Sequence, residues 1–158
     1  MQTTKGGFYI TQIKQLQDRI FERLLVENGL DISGGQGRIL FVLWQEECLT
    51  VSDISIRTSL AKNTVSIILD GMATKGMVTR ENNPDNRRQT LITLTPKAKA
   101  MRAQYEKVSE EMSNLFYQGF SDEEISLFEN DLARILHTLT ETEQTMRNRR
   151  YHHDITSH

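Results

Sequence analysis

The sequence predicts a mainly α chain with one small β-hairpin, on three observations. Apolar residues recur at spacings of three and four through most of the chain, as on one face of a 3.6-residue helix. Between Thr50 and Leu94, two short helical patterns flank a tight turn and lead into two strand-like runs, Met77 to Glu81 and Thr90 to Leu94. The runs are joined by Asn82-Asn83-Pro84-Asp85-Asn86-Arg87-Arg88-Gln89, a stretch dense in turn formers with adjacent arginines near its end. Helix, turn, helix and charged hairpin together outline a winged helix-turn-helix.

A length of 158 residues with 37% hydrophobic content fits one globular subunit and leaves no room for a separate catalytic domain. No run approaches the roughly 18 apolar residues of a membrane span, and Met1 to Gly7 lacks the apolar stretch of a signal peptide. The expected setting is the cytoplasm, with no membrane partner. Cys48 is the single cysteine, which excludes an internal disulfide. The net charge of −2 argues superficially against nucleic acid, but its distribution answers the objection. Thr50 to Thr90 carries six bases against four acids, whereas Tyr105 to Met146 carries two bases against ten acids.

In chain order, Phe8 to Glu27 shows a helical stripe at Ile13, Leu16, Ile20 and Leu24, broadened by Phe21 and Leu25 and ended by Gly29. Ser33 with Gln36 forms a capping box that opens a second helix, with Ile39, Leu40, Leu43 and Trp44 on its buried side. Gly34, Gly35 and Gly37 weaken its first turns by roughly 1 kcal/mol each relative to alanine; they would permit a close helix approach, but nothing in the sequence accounts for why three stand there.

Thr50 with Asp53 caps the next helix, whose apolar contacts are assigned to Val51, Ile54 and Ile56. Thr58, Ser59 and Leu60 form the turn, with Leu60 plugging the corner. From Ala61 to Lys75, Val65, Ile68, Leu69 and Met72 draw one stripe. The opposite face carries Lys62, Asn63, Thr64, Ser66 and Ile67, as a recognition helix in a major groove would. Asn63, Thr64 and Ser66 suit base edges; Lys62 and Lys75, at the two ends, suit phosphates. Gly76 stops the helix. In the hairpin, the Asp85 carboxylate is expected to hold one of Arg87 and Arg88 while the other points outward to a minor groove.

The run from Leu60 through Thr95-Pro96-Lys97 resembles the MarR (multiple antibiotic resistance regulator) family of bacterial transcription factors. The resemblance lies in its Lys-Asn-Thr-Val helix start, Lys-Gly-Met-Val exit, Asp-Asn-Arg-Arg wing and Leu-Thr-Pro-Lys return. As a pattern of helices it extends over residues 8 to 147. It implies an obligate homodimer, double-stranded DNA with a near-palindromic operator, and a small-molecule or redox input.

After the hairpin, Thr95 caps and Pro96 opens one long helix along Met101, Tyr105, Val108, Met112 and Leu115. Ser121 with Glu124 caps a last helix along Ile125, Phe128, Leu132, Ile135 and Leu139. These seams assign residues 8–28 and 96–147 to a helical dimerisation module, residues 33–95 to the winged DNA-binding domain, and residues 148–158 to a flexible tail.

No nucleophile, paired carboxylate or phosphate-cradling glycine loop has a convincing setting, so no catalytic residue, enzyme activity or cofactor is assigned. Asp122-Glu123-Glu124 reads as negative charge favoured at a helix amino terminus. The function expected is that of a repressor released by a small aromatic or anionic effector. That effector would lie in a cleft lined by Ile13, Phe41, Trp44 and Met101, with Lys14 or Arg38 at its mouth. The alternatives are a winged-helix protein-interaction module, or a redox- or metal-responsive regulator using Cys48 or His137, His152, His153 and His158. Neither spacing makes a metal site.

Overall fold

Two helix starts, at Ser33 and Thr50, are set by side chains that satisfy amides with no partner inside the helix. Ser33 Oγ accepts from the Gln36 amide at 3.3 Å and Gln36 Oε1 from the Ser33 amide at 3.2 Å. Thr50 Oγ1 accepts from the Asp53 amide, and the Asp53 carboxylate from the Thr50 amide, both at 3.1 Å. The Thr50 hydroxyl also donates to that carboxylate, which holds the Asp53 carboxyl below its ordinary pKa.

In a computed structural model that describes residues 4–155, the order is α1 (Gly6–Glu27), α2 (Gly34–Gln45), β1 (Cys48–Thr50), α3 (Val51–Thr58) and α4 (Lys62–Thr74). There follow β2 (Val78–Asn83), β3 (Asn86–Leu94), α5 (Pro96–Ala100), α6 (Arg102–Phe116) and α7 (Asp122–Ile155). The chain divides between Phe116 and Tyr117 into two compact units. This differs from the expected division, because α1, α5 and α6 share one buried core with the winged elements. Leu25, Ala98, Tyr105 and Val108 lie in the same cluster as Ile39, Ile54, Leu69 and Ile92.

The sheet has three strands in the order β1-β3-β2, all antiparallel. The short β1, which pairs Leu49 with Ile92, has no counterpart in the sequence reading, and it places the exposed Cys48 on a strand.

The helix after the hairpin is broken at Met101 rather than continuous. A continuing helix would give the Ala98 carbonyl to the Arg102 amide. Here the Trp44 indole N–H takes that carbonyl at 3.0 Å, the Met101 amide reaches it at 3.3 Å, and Arg102 donates its guanidinium to the Trp44 carbonyl. Tyr105, Val108 and Met112 are buried inside the first unit, so the seam expected to await a partner is filled internally. Ile56, assigned to the core, is 77% exposed. Residues 148–155, expected to form a flexible tail, continue α7 as helix; His158 lies outside the described residues.

Two of the three α2 glycines face a neighbour closer than a Cβ would tolerate. A Cβ on Gly37 would lie 2.7 Å from Tyr105 Oη, and one on Gly35 2.9 Å from Ile68 Cδ1. Among the described residues, no helix is long and apolar enough to cross a membrane.

Candidate nucleic-acid interface

Helix α4 is anchored by Val65, Leu69 and Met72, all fully buried, with Ile68 partly buried beside them. That fixes its rotation and turns Lys62, Asn63, Thr64 and Ile67 to the outside, with Ser66 half-buried. The preceding turn is tight because Ser59 adopts φ 57°, Ser55 Oγ donates to the Leu60 carbonyl at 2.6 Å, and Leu60 packs on the core. Gly76, at φ 69°, ends the element in a left-handed conformation that favours glycine.

The two basic ends of α4 behave differently. Lys62 is exposed and has no ion pair among the described residues. Lys75 is tied back to the α1–α2 connection: its Nζ lies 3.2 Å from the Asp31 carboxylate, 3.1 Å from the Asp31 carbonyl and 3.5 Å from Gln36 Oε1. Lys75 was expected at a phosphate, but a cation committed to three oxygens of its own chain is a structural clamp. Arg80 of β2 is a residue the sequence reading missed. Its guanidinium binds the Asp70 carboxylate at 2.6 Å and the Ser66 carbonyl at 3.3 Å, which joins the wing strand to the recognition helix.

The β2–β3 ladder is regular from Val78/Leu94 to Asn82/Thr90 and then jumps to Asn83/Asn86, across a Pro84-Asp85 turn. Arg87, Arg88 and Gln89 fall between those pairs without a partner across the strand, in a bulge of the kind that re-aims side chains. Both arginines are exposed, without an ion pair among the described residues. Asp85 does not hold either guanidinium. Amide side chains fasten the tip instead: Asn83 Oδ1 accepts from the Asp85 amide at 3.0 Å, Asn83 Nδ2 donates to Gln89 Oε1 at 3.0 Å, and Asn86 Oδ1 accepts from the Arg88 amide at 3.1 Å. The tendency of Asn to close local turns was the available signal.

Of the six residues assigned to an effector cleft, the structure brings two together. Lys14 and Arg38 line a groove of about 280 Å³ with Gln17, Asp18, Phe21, Ser109, Met112 and Ser113. Lys14 is ion-paired with Asp18. Trp44 and Met101 pack on the core instead, with the Trp44 ring 5.0 Å from that of Tyr105. Ile13 and Phe41 are surface residues, 40% and 53% exposed, and neither lines the groove.

A helix pair with an outward polar face, clamped to a basic hairpin, defines a winged helix-turn-helix protein. The sequence model of the MarR family matches residues 32–90. The HTH-type transcriptional repressor YetL of Bacillus subtilis is 28% identical over 135 residues, covering 81% of this chain and 77% of YetL. The multiple antibiotic resistance protein MarR of Salmonella typhimurium is 25% identical, covering 82% and 90% of the two chains. Among solved structures, a single-site mutant of MarR from E. coli complexed with operator DNA is 25% identical with a TM-score of 0.76, covering 82% of this chain and 92% of that one. The transcriptional regulator SlyA, 20% identical with a TM-score of 0.81 and covering 88% and 96%, shares the fold. Residues 32–90 thus match the MarR family of transcriptional regulators, and likeness to a regulator of that kind extends over 81% of the chain.

Proposed function

We propose that this regulator acts as a homodimer that grips a near-palindromic operator and represses transcription until a small anionic effector binds. The observation that carries the DNA reading is the pairing of two exposed, uncommitted surfaces on one clamped unit. These are Lys62, Asn63 and Thr64, with half-buried Ser66, on α4, and Arg87 with Arg88 on the wing bulge. Asn63, Thr64 and Ser66 address base edges, Lys62 addresses phosphate, and the arginines enter the minor groove. Likeness to MarR, whose mutant is complexed with operator DNA, supports the DNA partner, and likeness to YetL, named a repressor, supports the sign.

A homodimer accounts for the apolar side chains left in water. Phe8, Leu16 and Ile20 are exposed on α1, and Leu127, Leu136 and Leu139 on α7. Patches of this kind mark association surfaces. For the effector, Arg38 faces the groove with no ion pair among the described residues, so an aromatic acid is the ligand class that fits.

Selection of bound duplexes from a random DNA pool, with light scattering on the free protein, tests the whole. The expected result is a two-fold symmetric consensus with half-sites about one turn, roughly 10 base pairs, apart, bound by a dimer. A monomer at micromolar concentration, or enrichment of an asymmetric single half-site, overturns it.

A further inference from the structure

We propose that Ile67 is a specificity-determining residue that reads the C5-methyl group of one thymine in each operator half-site. The inference rests on the DNA-binding reading above and goes beyond it, because it names the base feature recognised. Ile67 lies two residues from both Val65 and Leu69, which places it about 200° around the helix from each and directly opposite the buried stripe. It is 71% exposed at the centre of the outward face.

Its neighbours at helical spacing are Asn63, Thr64, Asp70 and Gly71, none with an apolar side chain. A β-branched apolar side chain among them gains nothing in water and is weaker than many polar residues as a helix former. A partner covering that face must therefore offer an apolar group.

In a major groove, base edges present donors and acceptors almost everywhere, and the thymine methyl is the apolar feature among them. Arg80 adds an electrostatic reason. By binding Asp70 at 2.6 Å it neutralises the carboxylate one turn beyond Ile67, so the helix face can approach the polyanion without a free negative charge next to the contact. Asn63, one turn earlier, supplies an amide suited to adenine, so the same face can read hydrogen bonds and methyl groups side by side.

The test uses the full-length protein and its selected consensus duplex. Each thymine is replaced singly by deoxyuridine, which removes only the methyl group. The wild type is expected to lose about fourfold in affinity at one thymine per half-site, the factor that burying one methyl group is worth. Ile67→Ala is expected to bind the thymine duplex more weakly by a similar factor and to be indifferent to deoxyuridine at that position, while its binding to random duplex stays at the wild-type level. Ile67→Val is expected to retain sensitivity to the methyl group. Wild-type affinity of Ile67→Ala for the consensus overturns the assignment, as do losses from the variant and from deoxyuridine that simply multiply. Failure of the wild type to bind any duplex removes the DNA reading together with this one. Specific binding that ignores both changes removes this one alone.

Discussion

Arg80 of β2 and Asp70 of α4 are joined at 2.6 Å, and the same guanidinium reaches the Ser66 carbonyl at 3.3 Å, so one side chain spans a full turn of the recognition helix from the wing. An exposed ion pair of this kind contributes little to stability, roughly 0.2 to 1 kcal/mol. Its consequence is positional, since it holds the wing and α4 in one mutual geometry, on which the proposed contacts with two adjacent grooves depend.

Arg80→Ala is therefore expected to leave the thermal midpoint almost unchanged while lowering operator affinity by roughly threefold to tenfold, the worth of ordering a long side chain on binding. Fluorescence anisotropy on labelled operator, with thermal unfolding of the same sample, checks the split. A large loss of stability with unchanged affinity would show that the pair serves the fold instead.

The two lysines of α4 should separate by salt dependence. Lys62→Ala is expected to flatten the slope of log affinity against log salt by about 0.9, the signature of one lost phosphate contact. Lys75→Ala should leave the slope unchanged, because its ammonium is bound to Asp31 and Gln36, and should change stability by no more than about 1 kcal/mol, as for other exposed ion pairs. Binding titrations across a range of salt concentrations distinguish them, and a flattened slope for Lys75→Ala would mean that the clamp opens on DNA.

Gly37 and Gly35 should respond in opposite directions to alanine. Alanine favours a helix over glycine by about 1 kcal/mol. At Gly35 the added methyl meets the end of the flexible Ile68 side chain, so Gly35→Ala is expected to be neutral or stabilising. At Gly37 it meets the ring and hydroxyl of Tyr105, which is held between Phe21 at 5.6 Å and Trp44 at 5.0 Å. Gly37→Ala is expected to cost a net 1 to 3 kcal/mol, roughly the range for overpacking a filled core. Urea denaturation measures both, and Tyr105→Phe should recover part of the Gly37→Ala loss.

Burial pushes the Tyr105 phenol up from 10.0 to about 12, against the opposing influences of Arg38 and the Ser109 hydrogen bond. The folded chain thus keeps a proton that the unfolded chain releases. The associated stability is fully present below pH 10 and is lost as pH rises from 10 toward about 12. Unfolding followed by circular dichroism across that alkaline range should show a shallower decline in Tyr105→Phe than in the wild type.

Capping boxes and the buried stripe of α4 were legible in the sequence because both are local: Ser33 with Gln36, Thr50 with Asp53, and Val65, Leu69 and Met72 interact within a few residues. The break at Met101 was not, because it depends on Trp44, far away in sequence, taking the Ala98 carbonyl. The Tyr105, Val108 and Met112 seam was read correctly as apolar but given the wrong partner, since periodicity specifies which face is buried and says nothing about what covers it. Arg87 and Arg88 were picked out by their place in a turn-rich loop between two strand-like runs, and the structure leaves both exposed there. Their fastening was missed because Asn83 and Asn86 act through backbone amides, and pairing charge with charge at Asp85 looked sufficient.

β1 is three residues long, yet it changes what the wing is mechanically. Ile92 faces Leu49 on one side and Arg80 on the other, so β3 is the inner strand of the sheet. Thr50, the last residue of β1, is also the cap of α3. The hairpin is thereby stitched through main-chain hydrogen bonds to the residue where the helix-turn-helix begins. A load applied at Arg87 and Arg88 is transmitted as through a lever with a fixed fulcrum at Thr50, and β3 amides near Ile92 should be among the slowest to exchange with deuterated solvent.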